Sequence, residues 1–227
     1  MTHTDVGNDF SRFRNEFHIG QLVEGVVVAH RPFGVLVDIG NPRFPGAALL
    51  PELDDCLPGT IPEFPDIGSH VTGALTGFSG TQARLTLRPS RVRAAIRVSR
   101  IESLPKSERF GLLRNALHDR DGSVSQAAAW HAWILSGRER YAFLREAVDD
   151  DNPNVAIAAV PQARDLRAPE RWALLEEALE HEDSSVAQAA LREAEQLTDI
   201  VYKRRFLDHA QGHASPDIRN RARRLAN

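Results

Sequence analysis

The chain holds a single cysteine, Cys56, one methionine and two lysines, Lys106 and Lys203, among 227 residues. One thiol excludes an internal disulfide, a thiolate zinc finger and an iron–sulfur cluster. The scarcity of lysine leaves arginine as the working cation, a GC-rich coding signature that points to a bacterial source. No apolar run approaches the roughly 20 residues that span a bilayer, and the mean hydropathy is -0.35. The opening residues MTHTDVGNDFSRFRNEF lack the basic-then-apolar layout of a secretory signal, which points to a cytoplasmic protein. An excess of either charge is lacking too: 28 basic residues face 31 acidic ones, a net of -3. A protein that coats nucleic acid by bulk charge is thereby excluded, and any such binding must be local.

Signatures of catalysis are missing as well. There is no phosphate-binding glycine loop, no nucleophile elbow and no dinucleotide fingerprint. Cys56 sits beside Asp54 and Asp55, whose charge raises a thiol pKa and disfavours a nucleophilic role. His209 and His213 have the spacing of a zinc pair, but Gly212 and Ser215-Pro216 place them across a turn between helices. Asp149-Asp150-Asp151 occupies a recurring turn and reads as a helix cap. The expectation is a non-enzyme with no metal, cofactor or small-molecule substrate.

The residues that are present change character along the chain. Ten of the 15 glycines lie between Gly20 and Gly80, whereas residues 106–227 hold 22 alanines against seven before them. This divides the chain into an N-terminal helical segment (1–19), a strand-rich domain (20–88), a basic linker helix (89–106) and a helical domain (107–227). In the first segment Phe10, Phe13 and Phe17 share one side of a helix over about 9–17. The linker, carrying Arg91, Arg93, Arg97 and Arg100, is expected to be helical over about 90–103, with Ala94, Ala95, Ile96, Val98 and Ile101 on its apolar side.

Five short strands are predicted in residues 20–88, the layout of an OB-fold barrel. QLVEGVVVAH comes first, and FGVLVDIG alternates, with Val35, Val37 and Ile39 on one face, up to the Gly40-Asn41-Pro42 turn. GAALL follows, then a long proline-rich connection from Pro51 to Gly68, then HVTGALTGF and ARLTL around an SGTQ turn. Gly20, Gly25 and Val27, Phe33-Gly34, Val37-Asp38-Ile39-Gly40, Gly46, Gly68-x-x-Val71 and Arg84-Leu85-Thr86-Leu87 together resemble the ribosomal S-one type RNA-binding domain. The resemblance implies RNA bound on a barrel face by two aromatics, a histidine, an aspartate and a final basic residue. Phe33 matches the first aromatic and Arg84 the basic residue. Leu36 stands at the second aromatic, Leu49 at the histidine, and Phe78 or Ser79 at the aspartate. Arg31, Arg43, Phe44 and Phe78 are candidates to rebuild the face, with Arg93 and Arg97 adding phosphate contacts from the linker. Two readings of Phe33 stand: strand parity with Val35 points it inward, and a kink at Gly34 would turn it outward to stack on a base.

Residues 106–227 repeat. Leu113, Leu144, Leu175 and Leu207 are each followed 11 positions on by Val124, Val155, Val186 and Ile218, a period of 31, 31 and 32. Four residues past those come Ala128, Ala159, Ala190 and Ala222, and eight past them Ala132, Ala163, Ala194 and Ala226, one face of a helix. Leu135, Leu166 and Leu197 extend the row. Each unit reads as helix, polar turn, helix. The pattern Asp183-Ser184-Ser185-Val186 through Ala190 is similar to short bacterial HEAT repeats and implies a helical solenoid that docks protein.

The predicted fold class is therefore α+β: an OB barrel followed by four helical hairpins. Trp130 and Trp133 lie off the buried row and either cover the first repeat or bind a partner. Residues 198–227 carry seven basic against three acidic residues, which makes Arg219, Arg223 and Arg224 partner-binding candidates. The leading expectation is a non-catalytic adaptor that binds single-stranded RNA weakly, the ribosome being one setting for it, and a protein through its repeats. The alternative is a protein-interaction module, such as an immunity or regulatory protein, without RNA.

Overall fold

The computed structural model describes residues 9–10, 12–41, 43–56, 60–197 and 199–226. Pro42 of the first turn and residues 57–59 of the long connection lie outside them. The layout is α+β, and the chain divides into two compact units between Leu104 and Pro105.

In the first unit, β1 (Leu22–Arg31), β2 (Gly34–Asp38), β3 (Gly46–Leu49), β4 (His70–Ser79) and β5 (Gln82–Thr86) close in the order β1-β2-β3-β5-β4. Only the β3–β5 pair is parallel. Closure removes the unpaired edges that an open sheet would expose. Alternation along the strands sends Val27, Val35, Val37, Leu75 and Leu85 inward, and all are buried. Residues 9–10 and 12–15 are helical, and Phe10, Phe13 and Phe17 pack against this core.

Two predicted binding residues belong to the same aromatic group, which corrects the sequence reading. Phe44 is 4% exposed, with its ring 5.2 Å from Phe10 and 5.3 Å from Phe13. Phe78 lies opposite inward-facing Ala83, meets Phe10 edge-on at 6.0 Å and has Arg14 over its ring. Phe78 takes the inward parity of Ala83 and is half-buried, Phe44 is buried in the turn before β3, and the helix packs against both rings.

Helix α1 (Pro89–Ser99) packs against β4 and β1 and buries Ala94, Ala95 and Val98. Ile96, expected on that side, falls about 200° round from Ala94 at 100° per residue, and it is 38% exposed. The acidic long connection anchors this helix. The Asp55 carboxylate accepts from Ser90 N at 2.7 Å and Arg88 Nε at 3.1 Å, while Glu52 accepts from Arg91 Nη1 at 2.7 Å. Desolvation pushes the Asp55 pKa up, but the bonds from Ser90 and Arg88 outweigh it and hold the carboxyl below its ordinary value.

The second unit contains α2 (Lys106–Leu117), α3 (Gly122–Trp130), α4 (Gly137–Val148), α5 (Pro153–Ala159), α6 (Ala168–Leu179), α7 (Ser184–Glu195), α8 (Ile200–Ala210) and α9 (Pro216–Ala226). They pair as α2/α3, α4/α5, α6/α7 and α8/α9. Even-numbered helices form one row of neighbours and odd-numbered helices a second. Asp121, Asn152 and Asp183 cap α3, α5 and α7 by accepting from the amide two residues on. Ala128, Ala159, Ala190 and Ala222 are each 0% exposed, and this alanine row lets the helices approach closely. Ala226, predicted in the next row, is exposed.

Polar residues recur in register too. Arg114 pairs with Glu146 at 2.8 Å and Arg145 with Glu177 at 2.9 Å, a ladder 32 residues long at each step. Four residues before each repeat leucine stand Arg109, Arg140, Arg171 and Lys203. Arg140 donates to Leu135 O and Trp133 O, Arg171 to Ala163 O and Leu166 O, and Lys203 to Glu195 O. These cations satisfy carbonyls left open where the preceding odd-numbered helix or its 3-10 extension ends.

Replacing Ala190 with Gln forces a long polar side chain into an alanine-sized gap. The expected cost is about 1–3 kcal/mol, read as a lower urea midpoint; a parent-like midpoint would overturn the repeat register.

His131 supplies a pH-dependent term. It is 1% exposed and its Nδ1 donates to Ala127 O at 2.8 Å. Burial pushes its pKa below the ordinary 6.5, more than the Ala127 bond raises it. Below about pH 6.5 the unfolded imidazole therefore binds a proton that the folded one refuses, so stability falls as pH falls, by up to about 1.4 kcal/mol per pH unit. Asp55, Glu146 and Asp183, all with lowered pKa values, act only below their ordinary 3.8, 4.5 and 3.8. Urea midpoints between pH 7 and 5 are expected to fall for the parent and to fall less steeply for His131→Gln; equal slopes would remove His131 from the account.

Candidate nucleic-acid interface

A bulge at Val28 decides where the basic residues of the barrel point. Before it, inward-facing Val27 pairs with Val37; after it, Ala29 pairs with Leu36 and Arg31 with Gly34. Residues directly opposite share a face, so the extra residue turns Ala29 and Arg31 outward, where unbroken alternation from Val27 would have turned them in. The outer row runs on from Leu36 to Ala47 and Arg84, beside a second row of Arg31, Gly34 and Leu49. One outer face thus gathers Arg31, Leu36, Leu49 and Arg84. Leu36 and Leu49, at the positions of the expected aromatic and histidine, make its centre aliphatic.

Phe33 stands at the rim of this face, 49% exposed. The strand begins at Gly34, whose φ of +147° breaks the parity that would have carried the ring inward. The Phe33 carbonyl accepts from Leu50 N at 2.9 Å, which pins the turn to the end of β3. Arg43 is tied to Asp9 at 2.7 Å.

The linker supplies a second basic surface. Arg93 and Arg97 are exposed on α1 away from its buried alanines, and Arg100 is exposed just past its end. Arg88 and Arg91, nearer its start, are held by Asp55 and Glu52. Only part of the linker's positive charge therefore faces solvent, a division that the linear order of arginines could not make.

Among the helical candidates, Trp130 is corrected: α3 is buried from Val124 to Trp130, and the ring is 3% exposed. Trp133 is half-buried, with its ring stacked 6.4 Å from His131. Arg219 donates to His213 O and Ala214 O and so closes its own turn, whereas Arg223 and Arg224 are exposed.

Cys56 donates to Asp54 at 3.2 Å, which pushes its thiol pKa up. His209 lies 3.0 Å from Glu180, and His213 Nδ1 accepts from Ser215 N. Among the described residues no cluster of three His, Cys, Asp or Glu could hold a metal, and no helix is long and apolar enough to cross a membrane.

No family model matches the chain, and no curated protein matches it. Among solved structures, a chain of the a/eIF2alpha-aDim2p-rRNA complex from Pyrococcus horikoshii OT3 is 15% identical with a TM-score of 0.29, over 71% of this chain and 94% of that one. The intact alpha subunit of aIF2 from Pyrococcus abyssi is 15% identical with a TM-score of 0.27, over 79% of this chain and 76% of that one. At these scores the likeness carries nothing over to this chain.

Proposed function

We propose that the protein is a non-catalytic RNA-binding adaptor. Its closed five-stranded sheet is read as an OB-fold of the S-one type that contacts single-stranded RNA together with α1, and its paired helices as HEAT-like repeats that dock a protein. The observation that carries the reading is Phe33, a large apolar ring held 49% exposed by a glycine that leaves no room for a side chain, with Arg31 on the adjoining face. An aromatic fixed in solvent beside cations is the platform on which a base stacks. Arg93, Arg97 and Arg100 would meet phosphates, which position the strand without reading its sequence.

The test is an electrophoretic shift with a single-stranded RNA at two salt concentrations. Phe33→Ala is expected to weaken binding by about 1–3 kcal/mol, roughly 5- to 150-fold, without changing the salt slope. Circular dichroism alongside checks that the variant is folded. No shift by the parent at low salt would hand the function to the protein-only reading, which the acidic balance of residues 1–91, seven basic against ten acidic, favours.

A further inference from the structure

Of the seven basic residues in 198–227, four are engaged. Lys203 Nζ donates to Glu195 O at 2.9 Å, Arg221 meets the Glu195 carboxylate at 2.6 Å, Arg205 lies 3.9 Å from Glu176, and Arg219 closes its turn. Arg204, Arg223 and Arg224 are exposed and pair with no described residue. Glu195 receives both Lys203 of α8 and Arg221 of α9. Lys203 in the first turn of α8 and Arg221 at the middle of α9 thus meet one residue, which puts the start of α8 on the side of the C-terminal half of α9, where Arg223 and Arg224 stand.

The same end carries exposed aliphatic surface. Ile200 and Val201 are 79% and 78% exposed, and both lie one helical turn from Arg204. The next residue, Tyr202, is stacked on Trp172 at 5.0 Å and 15°, so the pair projects from a packed turn. Asp199, which precedes the pair in sequence, accepts from the amides of Val201 and Tyr202 and caps the helix.

An apolar pair one turn from Arg204, at the end of the hairpin where α9 carries Arg223 and Arg224, constrains its partner. A neutral apolar surface would desolvate the guanidinium groups without pairing them, and a purely polyanionic strand would leave Ile200 and Val201 uncovered. We propose that this end of the final pair docks an acidic peptide segment of a protein partner. Its carboxylates meet Arg204, Arg223 and Arg224, and an apolar side chain covers Ile200 and Val201. This specifies the protein-docking half of the adaptor reading and rests on it.

The full chain is titrated with three fluorescein-labelled decapeptides: alternating Glu and Leu, the same with Gln for Glu, and the same with Ser for Leu. The first is expected to bind at least about tenfold more tightly than either control, because each control deletes one class of interaction. Backbone amide shifts should be confined to residues 199–205 and 219–226. The double variants Arg223→Glu with Arg224→Glu, and Ile200→Ser with Val201→Ser, should each abolish the preference while retaining parent circular dichroism and parent RNA affinity. Equal binding of all three peptides, or shifts elsewhere, overturns the proposal and leaves the RNA half of the adaptor reading intact. Loss of RNA binding in the arginine variant also overturns it, by making this end a nucleic-acid surface. Peptide preference in a parent that shifts no RNA upholds this surface and removes the adaptor reading.

Discussion

Gly34→Ala is expected to unfold the barrel. A β-carbon at this position would lie 2.0 Å from Ala48 O and 2.8 Å from Leu49 Cα, both backbone atoms that cannot swing aside. The φ of +147° adds strain for any other residue. Together these put the cost at about 4 kcal/mol or more, at the extreme of single substitutions. Gly77 is the internal control: its φ is +153°, but nothing lies within 4 Å of its β-carbon, so Gly77→Ala should cost only the strain, about 1–3 kcal/mol. Trp130, Trp133 and Trp172 all lie beyond residue 105, so tryptophan fluorescence is silent on the barrel and amide exchange is the measurement. Protection at Val27 and Val37 should collapse in Gly34→Ala and persist in Gly77→Ala. Retained protection in both would mean that β2 and β3 do not approach each other as described, and Phe33 would lose the backbone that holds it in solvent.

Arg93→Glu with Arg97→Glu is expected to give the largest loss of RNA affinity. A charge-assisted hydrogen bond is worth about 1.5–3 kcal/mol, so removing two and adding repulsion should weaken binding by on the order of 100-fold or more at low salt. The salt dependence should flatten as well, by about 0.7 in the log–log slope for each phosphate of a single strand that is no longer neutralised. The fold should survive, because both residues face away from the buried Ala94, Ala95 and Val98. An unchanged slope would show that α1 does not meet phosphate. A flattened slope with Phe33→Ala at parent affinity would leave a protein that grips the backbone through α1 and stacks no base.

Strand and helix positions were legible because each rests on local periodicity. Val35, Val37 and Ile39 alternate, and the leucine, valine and alanine rows of the repeats return every 31 or 32 residues. The candidate site was legible only in part. Phe44 and Phe78 carry the same residue type as Phe33, and nothing in their immediate sequence says that Phe10 and Phe13 will cover them. The linker showed its arginines but not that Glu52 neutralises Arg91, nor that Asp55 holds Arg88 just ahead of it, both from more than 30 residues away.

The set of elements, their order and the repeat follow from the linear chain, since hydrophobic periods of 2 and 3.6 are properties of neighbouring residues. Tertiary structure alone decided which polar and aromatic residues face solvent. The Val28 bulge turned Arg31 out, Gly34 turned Phe33 out, and Glu195 took up Lys203 of α8 and Arg221 of α9 while Arg204, Arg223 and Arg224 stayed exposed. Each depends on a register shift, a backbone angle or an interaction between segments distant in the chain. A one-residue change in register reverses which face a side chain occupies without altering the composition or pattern that a linear reading follows.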